Sequence, residues 1–170
     1  MGLFSIQLNS LEDLLLLQLE DLYDAERRLT EALPKMADAA HSPELQQAFR
    51  MHLQETEGHV RRLDQVFRDL DREPHRETCD AMKGLISEGS TMVSAEGDPA
   101  VKDAALIAAA QRVEHYEIAA YGTVRTLARH LGREEIADLL QQTLDEEGNA
   151  DKILTEIAES SVNAQAGRNG

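Results

Sequence analysis

The fold is decided by the stretch Asp103-Ala-Ala-Leu-Ile-Ala-Ala-Ala-Gln-Arg-Val-Glu-His-Tyr-Glu-Ile118. Its apolar residues recur at intervals of three and four, which predicts an α-helix with one buried face. Leu106, Val113 and Glu117 share that face, so an acid stands where a core residue is expected. The stretch therefore predicts a helix that carries a carboxylate into the protein interior.

The same spacing extends over most of the 170-residue chain, which contains only four prolines and ten glycines. Pro34 lies within the first helical pattern and could kink or interrupt it. The pattern predicts four long helices: helix A from about Ser10 to Ala40, helix B from Pro43 to about Leu70, helix C from Asp98 to about Leu131, and helix D from about Glu134 to Ser160.

The connections between these helices predict the topology. Very short turns join A to B and C to D, so each pair should be an antiparallel hairpin. A long segment with a short helix over Cys79–Met92 joins B to C. This arrangement predicts an all-α, ferritin-like four-helix bundle. We expect one domain over residues 1–162, a disordered tail over 163–170, and both short turns at the same end of the bundle.

An internal repeat supports this organisation, because a shift of 91 residues superposes the two hairpins. Apolar positions of A and B then coincide with apolar positions of C and D, as Leu22 does with Val113 and Phe49 with Leu140. The repeat also pairs two acids on the apolar faces, which are Glu26 on helix A and Glu117 on helix C.

Helices B and D carry polar residues on their apolar faces as well. The face of helix B includes His52, Thr56 and His59, and that of helix D includes Glu147 and Ala150. Glu26, Thr56, Glu117 and Glu147 each lie 15 residues from the centre of the adjoining turn, or about 22 Å along a helix. We therefore expect these positions to share one layer.

Buried carboxylates at one level need compensation, because an isolated buried carboxylate costs several kcal/mol. A pair of metal ions would supply it, and carboxylate and imidazole ligands suit iron or manganese, iron being favoured. The alternative is a solvated or salt-bridged face. The candidate ligands are Glu26, Glu55, His59, Glu114, Glu117 and Glu147, and Glu146, Asp151 or His52 could replace one of them.

The overall charge excludes some classes of partner. With 32 acidic and 17 basic side chains the net charge is −15, which disfavours binding to nucleic acids and anionic membranes. A single cysteine excludes an internal disulfide, and no apolar run approaches the roughly 20 residues of a membrane span. The first residues lack the features of a secretory signal, so we expect a cytoplasmic protein.

The sequence resembles the YciE/YciF-type ferritin-like stress proteins from about Leu11 to Val162. The resemblance implies a ferritin-like bundle, a homodimer, a dinuclear metal centre and a bacterial stress-associated role. It rests on the segments Leu22-Tyr-Asp-Ala-Glu-Arg-Arg-Leu29, His52-Leu-Gln-Glu-Thr56, Asp103–Gln111, Val113-Glu-His-Tyr-Glu-Ile118 and Thr143-Leu-Asp-Glu-Glu147.

The chain departs twice from the ferritin-like pattern of Glu on helices A and C and Glu-x-x-His on B and D. Thr56 stands in place of a Glu, and Ala150 in place of a His. Glu55, Glu146 or Asp151 could substitute. Three hypotheses follow: a di-metal protein that oxidises Fe(II) or consumes peroxide or O₂, a non-catalytic dimeric stress or interaction protein with a vestigial site, and a storage cage.

Overall fold

The protein is an all-α bundle in a computed structural model that describes residues 6–74 and 77–168. The ferritin-like fold predicted from the sequence is confirmed. The helices are α1 (Leu11–Ala39), α2 (Pro43–Asp69), α3 (Asp80–Val93), α4 (Pro99–His130), α5 (Glu134–Ile157) and the short α6 (Asn163–Ala166), and a π-helical turn over Ala158–Val162 joins the last two.

The helix ends follow from local sequence. Ser10 caps α1 through a reciprocal pair of hydrogen bonds with Asp13, which satisfies backbone groups that the first turn leaves unpaired. Pro43 and Pro99 occupy first-turn positions of α2 and α4, where the missing N–H costs nothing. Pro34 lies inside α1 without ending it.

The two short turns lie at opposite ends of the bundle, so the expectation that they share one end was wrong. The carboxylate of Asp103 accepts hydrogen bonds from the backbone N–H groups of His41 and Ser42, at 2.8 and 2.6 Å. These bonds fix the α1–α2 turn beside the start of α4. The α4–α5 turn therefore lies a full helix length away, because α4 runs down the bundle from that point.

The crossover causes this topology. Its helix α3 extends for roughly 21 Å and carries the chain back along the bundle before α4 begins. Cys79 anchors the start of α3, since its backbone N–H donates to the Asp24 carboxylate at 2.9 Å and its Sγ lies 3.1 Å from the Tyr116 hydroxyl. Asp24 belongs to α1 and Tyr116 to α4, so the crossover is fastened to both.

Two apolar clusters form the core, one toward each end of the bundle. The cluster near the α1–α2 turn includes Met36, Phe49 and Leu106. The cluster near the α4–α5 turn includes Phe67 and Ile136. A layer of buried polar side chains lies at the level between them, because the ionisable positions fall near the middle of each long helix.

The C-terminal segment continues the bundle beyond α5. Val162, at the end of the π-helical turn, is buried in the first apolar cluster, and α6 packs against α4. Residues 163–166 are thus helical where a disordered tail was expected, while residues 169–170 of that tail, like residues 1–5, lie outside the described part. Among the described helices, none has the length and apolar character to span a bilayer.

Candidate metal centre

Six ionisable side chains are buried at the level between the two apolar clusters. Each long helix contributes at least one, because the acid or imidazole stands on the stripe that faces the bundle axis. Each of these residues, backbone included, is 5% exposed or less. Together they form a polar core layer: Glu26 on α1, His52 and His59 on α2, Glu114 and Glu117 on α4, and Glu147 on α5.

These side chains divide into two groups whose ligand atoms lie within 4.8 Å of one another. The upper group comprises His52, Glu114, Glu117 and Glu147, and the lower group comprises Glu26, His59 and Glu147. Glu147 belongs to both groups. A carboxylate shared between two ligand sets is the arrangement that bridges a pair of metal ions.

Short contacts link the imidazoles to the carboxylates. In the upper group, Nε2 of His52 lies 3.2 Å from Oε1 of Glu114 and 3.7 Å from Oε2 of Glu147. In the lower group, Nδ1 of His59 lies 3.2 Å from Oε1 of Glu26 and 3.0 Å from Oε1 of Glu147. Each imidazole therefore directs one nitrogen at carboxylates from other helices.

Most of these ligand atoms lack a hydrogen-bond partner within the described part of the chain. Both carboxylate oxygens of Glu117 and of Glu147 are unpartnered, and so is one oxygen each of Glu26 and Glu114. The nitrogens that the two histidines direct inward are unpartnered as well, since their short contacts are not aligned as hydrogen bonds. Buried polar atoms are rarely left so, and cations bound among them would satisfy them all.

Burial and mutual repulsion shift the ionisation of the layer. Burial, followed by the charges of Glu147 and Glu26, raises the pKa of Glu117 well above its usual range. Burial also raises the pKa of Glu114 well above its usual range, against the opposing effect of His52. When no cation is present, both acids keep their protons to a higher pH than an ordinary carboxyl does, and metal binding would release those protons.

The pKa of His59 shifts in the direction opposite to that expected of a buried imidazole. Burial disfavours its charge, but the carboxylates of Glu147 and Glu26 prevail and raise the pKa of His59 to about 11. Its Nε2 lies 2.8 Å from the carboxylate of Glu146. Burial opposes ionisation of Glu146, yet Arg62 lowers its pKa, so this carboxylate accepts the Nε2–H of His59. At neutral pH the metal-free ring also carries a proton on Nδ1, which a cation would have to displace before this nitrogen could bind it.

A buried tyrosine orients the carboxylate of the lower group. The hydroxyl of Tyr121, on α4, donates to Oε1 of Glu26 at 2.5 Å and is itself fully buried. This bond satisfies Oε1 of Glu26, while its Oε2 has no hydrogen-bond partner among the described residues. Outer partners of this kind hold ligands in the geometry that a metal needs.

A sequence profile described as "Domain of unknown function (DUF892)" matches residues 10–167. Protein YciF of Escherichia coli strain K12 is 46% identical over 162 residues, which cover 95% of this chain and 98% of the relative. The chain belongs to the DUF892 family. The resemblance to YciF-type proteins that the sequence predicted is thereby confirmed.

Solved structures related to the DUF892 chain share its architecture. The E. coli stress protein YciF superposes with a TM-score of 0.89 at 46% identity, covering 92% of this chain and 99% of that one. YcfI from Rhodopseudomonas palustris, described as a candidate structural protein, gives 0.85 at 43% identity over 91% and 98% of the two chains. A Xanthomonas campestris protein, at 22% identity and a TM-score of 0.75, shares the fold.

The structure brings five of the six proposed ligands together in this DUF892 protein, namely Glu26, His59, Glu114, Glu117 and Glu147. Glu55 belongs to neither group. Its side chain is 33% exposed at the edge of the layer, where its Oε2 lies 3.4 Å from Nδ1 of His52. Its role as a ligand stays a prediction.

The structure adds His52 to the layer. The sequence had indicated this residue only as a possible replacement for one of the six ligands. The signal was present, because His52 lies on the same stripe as Thr56 and His59, and all three are buried. The position of a helical residue along that stripe could not show which acids of α4 and α5 its ring would meet.

Two other candidates lie outside both groups. Glu146 contacts the lower group only through His59 and is also bound by Arg62. Asp151 accepts a hydrogen bond from Gln111 at 3.0 Å and lies 3.4 Å from the exposed His115.

The two departures from the ferritin-like pattern are compensated within the DUF892 layer. Thr56 supplies no carboxylate, but Glu114 brings a fourth one from the turn before Glu117. Ala150 supplies no imidazole, but His52 lines the same cavity as Ala150 and directs its ring inward. The layer thus holds four carboxylates and two imidazoles, which is the inventory of the ferritin-like pattern.

Proposed function

We propose that this chain binds two transition-metal ions, iron most readily and manganese as the alternative, in its central layer. The observation that carries the proposal is the set of unpartnered, buried carboxylate and imidazole atoms, which form two groups around Glu147. Four carboxylates would balance the charge of two divalent cations, so the layer could ionise without net burial of charge.

The residues divide the work of holding the ions. His52, Glu114 and Glu117 would hold one ion, Glu26 and His59 the other, and Glu147 would link them. Nitrogen and oxygen donors in this mixture suit iron and manganese better than the sulfur-preferring metals. Tyr121 keeps Glu26 oriented, and Glu146 keeps the proton of His59 on the outer nitrogen.

We propose that the centre serves redox chemistry with a small oxidant. A bound pair of iron or manganese ions supplies electron transfer to O₂ or peroxide, as in Fe(II) oxidation or peroxide removal. The chain's own contribution is to exclude bulk water, since the layer is closed above and below by apolar clusters. Acids with raised pKa, such as Glu117, can store and release protons as charge in the layer changes.

We extend two further properties to this chain as proposals. The E. coli relative is described as a stress protein, and we propose a stress-associated role here as well. We also propose a homodimer, which the molecular mass in solution would test against a monomer or a storage cage.

Metal content tests the proposed function directly. Wild-type protein prepared with iron or manganese, then freed of loose ions, should retain two ions per chain. The double variant Glu26→Gln, Glu117→Gln removes two ligand charges at nearly constant volume, so it should retain less than one. The matched control is Glu31→Gln, Glu57→Gln, which makes the same charge change at exposed positions of α1 and α2. Fewer than one ion per two wild-type chains overturns the proposal.

A structural protein without turnover is the second candidate. It is favoured by the description of the R. palustris relative and by Thr56 and Ala150, which depart from the ferritin-like pattern. The two candidates separate on consumption of oxidant. The structural role is favoured if the protein retains two ions but consumes peroxide and O₂ no faster than buffer alone.

A further inference from the structure

The central layer reaches the surface at two edges beside the contact between α2 and α5. The 91-residue repeat relates the residues at one edge to those at the other. Glu55 on α2 and Glu146 on α5 are repeat partners, and each is about one-third exposed at its edge. Each carboxylate also contacts an imidazole of the layer, His52 in one case and His59 in the other. The two edges thus share a partly exposed glutamate beside an imidazole, although the two imidazoles are not repeat partners.

The Glu146 edge is closed by a guanidinium. Arg62 donates to both oxygens of Glu146, at 3.0 and 3.2 Å, and to the hydroxyl of the buried Thr143 at 2.5 Å. With His59 at 2.8 Å, both oxygens of this partly exposed carboxylate have donors. A cation that approached this edge would meet the fixed positive charge of Arg62.

We call the Glu55 edge open because no guanidinium of the described residues covers its carboxylate. In the 91-residue repeat, Ile153 corresponds to Arg62 and Ala150 corresponds to His59. This edge therefore has neither the guanidinium nor an imidazole from α5. A cavity of about 30 Å³ lies there instead. Apolar side chains such as Phe49, Ala150 and Ile153 form most of its lining, and His52, Glu55 and Glu114 supply its polar groups. That volume is enough for a water molecule or a small ion.

Donor atoms become steadily more buried from this edge to the layer. The side chain of Glu55 is 33% exposed, His52 7%, Glu114 2% and Glu147 not at all. Neighbouring donors are 3.4 Å apart from Glu55 to His52, and 3.2 Å apart from His52 to Glu114. Within the described residues the Glu55 carboxylate contacts this single ring nitrogen, and its partial exposure leaves lone pairs available to the solvent.

We propose that divalent metal ions reach the centre through the Glu55 edge. Glu55 captures the hydrated ion, and His52 and Glu114 receive it as it sheds water into the cavity. The Arg62 edge excludes cations, so access is one-sided although the helical frame is repeated. This inference rests on the proposed function and specifies the route by which the same centre is filled. It gives Glu55 a role in metal entry in place of the ligand role predicted from the sequence, in keeping with its absence from both groups.

The experiment measures the rate of filling separately from the final content. Metal-free wild-type protein is mixed with Co(II), whose visible absorbance reports ligation, and bound cobalt is measured after removal of free ions. Glu55→Gln should slow filling by about tenfold, because electrostatic steering changes association rates by roughly 10- to 1,000-fold, and should leave the final content at two ions. The control Glu57→Gln makes the same charge change on an exposed part of α2 and should fill at the wild-type rate.

A second variant blocks the route sterically. Ala150→Leu fills the cavity without adding charge, so it should also slow filling at unchanged final content. Each result decides between the claims. Equal rates for Glu55→Gln and Glu57→Gln overturn the route alone, and a lower final content in Glu55→Gln overturns it by showing that Glu55 is a ligand. Wild-type protein that binds no cobalt, iron or manganese overturns the proposed function, and the route with it.

Discussion

The two edges of the central layer share a frame and differ in a few side chains. Both present a partly exposed glutamate next to an imidazole. On one edge Arg62 engages the glutamate, whereas Ile153 stands at the repeat position on the other and borders a cavity. The comparison teaches that the repeated helices fix the depth of the layer, while single substitutions within the repeat decide which edge is open.

The imidazoles show the same division of roles. His59 has Ala150 as its repeat partner, and His52 has Thr143. If the repeat were symmetrical, the second ring would come from α5. Instead α2 supplies both rings, and Thr143 becomes a hydrogen-bond acceptor for Arg62 on the closed edge. An asymmetrical pair of edges therefore surrounds a nearly symmetrical set of donors.

Removal of His52 should have the largest effect. His52→Ala deletes the imidazole of the upper group, so we expect metal content to fall from two ions to about one, with the lost ion bound about 100-fold more weakly or worse. The double variant His52→Ala, Ala150→His should regain the second ion, since both positions line one cavity. Titration with Co(II) measures both effects.

The control for this experiment is His115→Ala, which removes an imidazole that is 70% exposed on the neighbouring helix α4. It should retain both ions. Undiminished cobalt content in His52→Ala would show that the upper group does not need this ring, and the proposed compensation for Ala150 would then fail.

A guanidinium placed on the open edge should make it resemble the closed edge. In Ile153→Arg we expect cobalt to bind about tenfold more slowly at unchanged final content, because the new charge would repel the ion and pair with Glu55. Stopped-flow absorbance measures the rate. Ile153→Gln has a long side chain without charge, so a similar delay in that variant would assign the effect to bulk rather than charge.

The reverse change should have a smaller effect, on stability. Arg62→Ile removes the guanidinium that donates to Glu146 and to the buried Thr143. We expect a loss of about 1–2 kcal/mol in the free energy of unfolding at neutral pH. Thermal unfolding of the metal-free protein would show a midpoint lower by about 2–4 °C per kcal/mol. Arg61→Ile, at the exposed neighbouring position, provides the control.

The pH dependence of that loss has a definite sign. Arg62 lowers the pKa of Glu146 below its ordinary 4.5, so the ion pair contributes its stability above pH 4.5 and loses it as the pH falls through the lowered pKa. The difference between wild type and Arg62→Ile should therefore shrink in acid. A difference that stays constant from pH 7 down to pH 3 would attribute the loss to packing alone.

The sequence predicted the layer because helical periodicity assigns every residue to a face. Glu26, Glu117 and Glu147 interrupt apolar stripes, and the burial of Thr56 shows that even the position without a carboxylate was assigned to the correct face. Mid-helix placement also made the prediction insensitive to topology, so the error about the two turns did not move the layer.

Contacts between helices could not be predicted in the same way. Whether His52 or Glu55 faces the acids of α4 depends on how far α2 rotates and slides against its neighbours. The sequence of α2 alone does not determine that rotation. The hydrogen bonds from His41 and Ser42 to Asp103, which reveal the topology, join residues more than 60 positions apart. No local pattern in the sequence announces that contact.

The layer also sets the stability of the metal-free bundle against its proposed capacity to bind metal. It interrupts the apolar core at mid-height, and the raised pKa of Glu117 means that its ionised form opposes folding. Replacement of this glutamate by an apolar residue of similar size should stabilise the metal-free bundle while removing one of the proposed ligands. The four buried acids thus cost the metal-free bundle stability that apolar side chains in the same layer would supply.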